Sequence, residues 1–346
     1  MNASKTVPLP VPESAKPPGQ AARMRLAGVI LIVAVLALVP LAAAMAGQSF
    51  YLTIVTRIMV FALAALGLNL VLGFGGMVSF GHGLYVGIGA YAVGILSSHG
   101  VSSGWAHVGA AFGAGLACAL LIGAICLRAT GVAFIMITLA FAQMFYFLAV
   151  GLKQYGGDEG LPISAQSDFA LFSLANATLL YYTAFALLMA TLYGFHRLVH
   201  ARFGMVLRCC KSNERRMLAL GFPVFRYKLA AYVISALVCV MAGVLLANLT
   251  RFASPSYMSW TVSGELIVMV VLGGIGTVLG PIVGTLVFLG LEEVLKGLTE
   301  HWMAIFGPLI VVVALVGRRG LVGLAELWPK ARLAEPSAIR QEGGAS

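Results

Sequence analysis

The sequence predicts an all-α integral membrane protein, a polytopic helical bundle of about 10 transmembrane segments with both termini in the cytoplasm. Three observations predict it. Hydrophobic residues make up 60% of the chain and charged ones 10%, with a mean hydropathy of +0.98, whereas a soluble domain carries about 25% charged residues. The apolar residues fall in runs of about 20, the length of a membrane-crossing helix, not in the alternating segments of about 10 that build a barrel. Lys and Arg gather in a few of the segments between those runs. The formal charge of +10 therefore orients spans, and nucleic acid is not an expected partner. Little chain is left for a soluble catalytic domain.

Residues 1–25 are polar and Pro-rich, with Pro8, Pro10, Pro12, Pro17 and Pro18, and read as a disordered cytoplasmic tail. The run at 26–46 is too long for a signal-peptide core and has no clear cleavage site, so it reads as a retained first span. Further spans are expected at 52–72, 83–98, 106–126, 131–150, 177–196, 229–249, 260–273, 280–295 and 302–317. The third, eighth and ninth are short or Gly-rich and open to tilting, breaking or re-entry. Residues 26–317 form the transmembrane domain, and 318–346 form a cytoplasmic tail that opens on Arg318 and Arg319. With the N-terminus inside, 18 of the 22 Lys and Arg fall on the cytoplasmic side. Arg57, Lys153, Arg251 and Lys296 fall outside or at span ends. An even number of spans and this asymmetry agree.

The one long polar interruption is 197–228, with eight Lys and Arg against the single Glu214. It reads as a cytoplasmic platform between spans. Ser212 to Gly221 is expected to be a short helix: Ser212 or Asn213 caps it, Glu214 suits its first turn, and Gly221 ends it. Arg215 and Arg216 offer charge, and Met217, Leu218 and Leu220, with Ala219 between, offer apolar contact. Such a helix can pass motion from a cytoplasmic partner into the spans. The plainer alternative is a surface helix on acidic lipid of the bilayer. On the other side, the loop 151–176 is acidic and Gly-rich, and is either a solvated connector or a contact for an extracytoplasmic partner.

Two Gly-rich stretches follow spans at the same side. One holds Gly73, Gly75, Gly76, Ser79, Gly81, His82 and Gly83, and the other Gly273, Gly274, Gly276, Gly280 and Pro281. Gly/Pro-interrupted segments in corresponding places point to a transport path. Asn69, Ser79 and His82 are polar at membrane depth, and Gly83, Gly87 and Tyr91 recur at every fourth position. Helix packing and a path lining are both open for them. Glu265 is an acid inside a span, where a charge costs about 2.5–3.5 kcal/mol, so it faces protein or water. Arg57 can snorkel to the outer interface, and Glu292 with Lys296 has the spacing of a helix ion pair.

No enzyme constellation emerges. The sequence lacks a Gly-x-x-x-x-Gly-Lys-Ser/Thr phosphate loop, a zinc-ligand spacing and an intramembrane chain of acids or His. No catalytic residue, metal or cofactor is expected. Of the five cysteines, Cys118 and Cys239 lie in apolar spans and Cys126, Cys209 and Cys210 at or near the cytoplasmic side; they have no metal-ligand spacing, and a disulfide framework is not expected in that compartment.

Three blocks together resemble the permeases of branched-chain amino acid ATP-binding cassette (ABC) transporters, the LivM-type subunit among them. The first runs from Leu66 to Gly83 and on through Gly87 to Tyr91. The second is Asn213 and Glu214 with Ala219 to Gly221, followed by Val224 to Leu229 and Val233 to Ala236. The third runs from Val271 to Gly284, with Arg318 to Gly323 after it. The resemblance implies a non-enzymatic subunit in a bacterial plasma membrane, forming half of a path for leucine, isoleucine and valine. A paralogous permease would form the other half. Two cytoplasmic ATP-binding subunits would drive it, and an extracytoplasmic substrate-binding protein would deliver cargo. Ser212 to Gly221 would be the coupling helix. Similar permeases serve urea or amides, so that cargo stands as the alternative. A stand-alone carrier or channel is the remoter one.

Overall fold

The computed structural model describes residues 49–169 and 173–298, together with 301, 303–304, 306–308 and 311. The expected tails at 1–25 and 318–346 and the span at 26–46 lie outside these residues, as does most of the span at 302–317. Eight spans expected between 52 and 295 all form helices. They are α1 (Ser49–Asn69), α2 (His82–Ser98), α3 (Gly104–Cys126), α4 (Val132–Gly151), α5 (Ala177–His200), α8 (Val224–Thr250), α9 (Trp260–Gly273) and α10 (Gly280–Leu298). Two more, α6 (Arg202–Ser212) and α7 (Glu214–Ala219), lie between α5 and α8.

Among the described residues, five helical segments are long and apolar enough to cross a membrane: 50–74, α3, α4, α5 and α8. The apolar α9 is shorter. The chain is therefore a multi-pass helical membrane protein. Helices α3, α4 and α5 bury only a minor part of their apolar surface, whereas 50–74 and α8 bury most of theirs. Leu121, Met136, Met144 and Phe147 thus stand exposed on an outer layer suited to lipid tails.

Helix α2 is the centre. Its residues from His82 to Tyr91 are all buried, and it packs on α8, α3, α9 and α4. Small residues set the closest approach. A Cβ at Gly89 would overlap the Val240 carbonyl, and one at Gly243 would overlap the Val86 carbonyl, so the α2 and α8 backbones meet nearly bare. Gly87 instead makes room for the Met258 side chain, and Gly83 for Ser263 and the Ser259 carbonyl. The four-residue recurrence is therefore a packing face. Gly89→Leu is expected to cost at least about 3 kcal/mol, because backbone cannot retreat as a side chain does. An unchanged thermal midpoint in detergent would remove Gly89 from that role.

The platform holds more helix than expected. Phe203, Val206, Leu207 and Cys210 have helical spacing, and the last three are buried. The high density of Arg and Lys hid this apolar stripe. Helix α5 runs on to His200, and α8 starts at Val224, directly after Pro223, whose fixed φ suits a helix entry.

Contacts between loops sort them into two ends. At one end, 70–81, 127–131, 201–223 and 274–279 lie together. At the other, β1 (Leu161–Pro162) pairs antiparallel with β2 (Phe252–Ala253). There the Asp168 N–H donates to the Ser102 carbonyl at 2.8 Å, and the Ala165 N–H donates to Ser97 Oγ at 2.9 Å. The Ser167 N–H donates to Asn248 Oδ1 at 2.8 Å, which ties the loop to α8. The loop after α4 is therefore a pinned cap, with Asp158 and Glu159 left exposed at its tip.

Candidate functional site

The site begins where α1 stops being regular. After Asn69 the chain widens into a π-helical turn, Leu70–Phe74, a distortion that frequently marks functional positions. It ends at Gly75, whose N–H donates to the Leu70 carbonyl at 3.1 Å, and Gly76 takes a positive φ. The second Gly-rich stretch lies directly against it. Asn69 Nδ2 donates to the Thr277 carbonyl at 2.8 Å, and Asn69 Oδ1 accepts from the Gly276 N–H at 3.1 Å. One buried side chain thus holds the α9–α10 turn to the end of α1. No Cβ fits at Gly73, which lies against Asn69 Oδ1 and the Gly276 backbone. Gly273, Gly280 and Gly284 bring α9 and α10 into similar contact, Gly274 turns the chain at positive φ, and Pro281 is buried in the first turn of α10. Two weakly similar stretches in sequence thus form one junction.

A second polar cluster lies deeper, on α2. His82 Nδ1 is 3.0 Å from Ser79 Oγ, and Nε2 is 2.8 Å from Ser235 Oγ on α8. The Ser235 hydroxyl donates to the Gly67 carbonyl at 2.6 Å, so it accepts from His82, which puts a hydrogen on Nε2. Ser79 Oγ also accepts from the Gly81 N–H at 3.2 Å. Tyr85 donates to Tyr232 at 3.1 Å beside the imidazole. The network joins α1, α2 and α8 with its polar groups paired, as a buried polar network must be to stabilise a core.

The platform completes this end. Asn213, not Ser212, caps α7: its Oδ1 accepts from the Arg216 N–H at 3.0 Å. Glu214 sits in the first turn, where the helix dipole favours an acid. Gly221 at φ 83° closes the helix, with the Phe222 N–H donating to the Met217 carbonyl at 3.1 Å and Gly221 N–H to Leu218 at 3.0 Å, a pairing that needs a left-handed residue there. Met217 packs inward on Val206, Cys210 and Val224. Leu218 and Leu220 are 56% and 65% exposed, and Arg215, Arg216 and Ala219 are exposed beside them. Lys228 of α8 bonds Glu214 at 2.7 Å. Burial pushes the Cys210 thiol up, against the opposing pull of Lys228, so it packs as a thiol and is not a reactive thiolate. A cavity of about 330 Å³ is lined by the platform, the first Gly-rich turn and the α3–α4 turn, with Gly75, Gly76, Gly131, Lys211, Glu214 and Lys228 on its wall.

Glu265 is apart from all of this. It is exposed on α9, and the charges that act on it are Glu292, Arg57 and Lys296. The Arg57 guanidinium lies 3.9 Å from Glu292 and over the Phe61 ring. Glu292 also pairs with Lys296, as its spacing predicted.

A family model described as branched-chain amino acid transport system / permease component matches residues 50–314. The chain belongs to that family. The permease is 25% identical over 293 residues to the high-affinity branched-chain amino acid transport system permease protein LivM of Salmonella typhimurium, covering 78% of this chain and 69% of the relative. It is 28% identical over 290 residues to the LivH permease protein of Escherichia coli, covering 77% and 92%. The fructose import permease protein FruG of Bifidobacterium longum is 23% identical over 195 residues, covering 51% and 57%. No solved structure matches the permease. The matched span contains the junction, the His82 network and α7. Of the residues singled out from sequence, Asn69, Gly75, Gly76, Gly273, Gly274 and Gly276 meet at the platform end, Ser79, Gly81, His82 and Gly87 line the buried α2, and Glu265 joins neither group. Lys211 and Ser235 were missed. One was hidden among eight basic residues, and the other looked like a small residue in an apolar span.

Proposed function

We propose that this permease is one transmembrane half of an ATP-driven importer of leucine, isoleucine and valine in the bacterial inner membrane. The reading has about 10 spans and both termini in the cytoplasm. A paralogous permease supplies the other half of the path. Two cytoplasmic ATP-binding subunits hydrolyse ATP, so this chain is not an enzyme, and an extracytoplasmic binding protein docks at the opposite end, where Asp158 and Glu159 are exposed. The observation that carries the reading is α7. It is capped at both ends, presents Arg215, Arg216, Leu218 and Leu220 outward, and is fastened inward through Met217 and Glu214. A six-residue helix has little stability of its own; held this way, it transmits force. The Asn69 junction and the α2 network are the parts of the bundle that it moves between outward- and inward-open arrangements.

The experiment is ATP-dependent uptake in proteoliposomes holding the full complex. Labelled leucine should accumulate and be competed by isoleucine and valine, and not by fructose, urea or short amides. Competition by one of those solutes and not by valine would keep the machine and change its cargo, as the fructose-named relative illustrates. Uptake by the permease alone would favour a carrier.

Glu265 bears on the path itself. An exposed acid on a short apolar helix lowers its cost by facing water or a partner subunit rather than lipid. Glu265→Gln is expected to reduce uptake by about tenfold, the scale of a lost charge-assisted contact, while protein abundance stays near wild type. Wild-type uptake would return the residue to a structural role.

A further inference from the structure

Lys211 lies outside the expected coupling helix, two residues before its cap, yet it carries a polar link from the platform to the Gly-rich junction. Its Nζ donates to the Gly73 carbonyl at 2.8 Å, and its aliphatic stem lies against Gly76. Gly73 is in the last turn of the π-helical segment, where carbonyls run out of partners within the helix and the dipole is negative. A cation there satisfies both needs. The same glycine touches Asn69 Oδ1 and the Gly276 backbone, so the ammonium is one residue from the point where α1 meets the α9–α10 turn. Lys211 is itself rigidly linked to α7. The Asn213 N–H donates to the Cys209 carbonyl at 3.0 Å, and Asn213 caps α7 through Arg216. Beneath this bridge is the cavity, walled by Gly75, Gly76, Lys211, Glu214 and Lys228. Beside the cavity, Leu207 of α6 packs on Leu70 and Phe74 of the π-helical turn, so Lys211 adds a directed polar contact to an apolar one.

We propose that Lys211 is a positioning residue for transport, the tie through which displacement of α7 moves the Gly73–Gly276 junction. The proposal rests on the reading of α7 as the coupling helix. The platform's attachments to the spans act differently. The Glu214–Lys228 pair and the Met217 cluster join α7 to α8. Leu207 and Phe203 of α6 pack in an apolar cluster with Leu70, Phe74 and Val278, a non-directional contact that sets proximity. Lys211 adds the directed hydrogen bond to the end of α1 beside the α9–α10 turn. Cutting this tie should leave the ATP-binding subunits seated and hydrolysing while the junction lags.

The test uses the full complex in proteoliposomes, with uptake and ATP hydrolysis measured on the same preparation and expressed per complex recovered. Lys211→Met keeps the stem and removes the donor; Lys211→Arg keeps a donor and the charge. The expected result is that Lys211→Met co-purifies with the ATP-binding subunits and hydrolyses ATP at the wild-type rate. Substrate moved per ATP should fall about fivefold, the factor of one net hydrogen bond, and Lys211→Arg should restore most of it. Lys211→Gln, a neutral donor, serves if the Met variant does not accumulate, with a smaller loss in the same direction. Wild-type substrate per ATP in either neutral variant overturns the proposal, as does a parallel fall in hydrolysis and uptake that Lys211→Arg does not relieve. Loss of co-purification in Lys211→Met would make the residue a docking contact and also overturns it. Failure of the coupling reading itself appears elsewhere, as unchanged subunit association when Arg215 and Arg216 are reversed.

Discussion

Reversing Arg215 and Arg216 to Glu together is expected to strip the ATP-binding subunits from the permease. Both side chains are exposed on α7, and the helix holds its place through Asn213, Met217 and Glu214 instead. The substitutions therefore spare the fold of the platform and change what it presents. Like-charge juxtaposition at an interface costs several kcal/mol, so association should weaken by at least about a hundredfold. Co-purification after the double substitution reads the effect directly. Retained subunits at wild-type ratio would mean that α7 lies on lipid, where acidic headgroups rather than protein answer its charge.

The second large effect is expected at Asn69. Its amide fills two roles at once, donor to Thr277 and acceptor from Gly276, and it is 1% exposed. Asn69→Ala would leave the half-buried Thr277 carbonyl and Gly276 N–H without this partner, at about 1 kcal/mol each. The α9–α10 turn would lose its attachment to α1. Transport should fall by more than about a hundredfold, with a lowered thermal midpoint, since the lost energy is a large fraction of a domain's net stability. Asn69→Asp is the useful companion. It keeps the acceptor for the Gly276 N–H but sets an oxygen against the Thr277 carbonyl, and should fall between alanine and wild type. Full uptake in the alanine variant would mean that the two Gly-rich turns stay joined without this side chain.

Much of the architecture was legible because lipid imposes strict terms on sequence. Apolar run length placed α1 to α5 and α8 to α10, and the cap and terminator of α7 were readable at Asn213 and Gly221, since few residues meet those backbone demands. The stripe of α6 was not legible, because the basic residues around Phe203, Val206 and Leu207 dominated the composition. The two Gly-rich stretches could be matched as glycine patterns, but their meeting on Asn69 is a contact over about 200 residues of sequence, which no local pattern encodes. Likewise His82 was visible as a polar group at depth, whereas Ser235 and the Gly67 carbonyl that fix its hydrogen bonds come from other helices. Arg57 was readable as a residue that can reach an interface, but its neighbour was not: it lies 3.9 Å from Glu292, a partner about 235 residues away that only the packing of α10 beside α1 supplies.

The most direct test of the permease as half of an ATP-driven importer is affinity purification of the full chain from its native host in mild detergent, with mass spectrometry of its partners. A second permease of the same family should come with it at equal amount, together with subunits carrying the Gly-x-x-x-x-Gly-Lys-Ser/Thr phosphate loop that this chain lacks. Recovery of the permease alone, still able to move leucine in liposomes without ATP, would contradict the account and make α7 a surface helix.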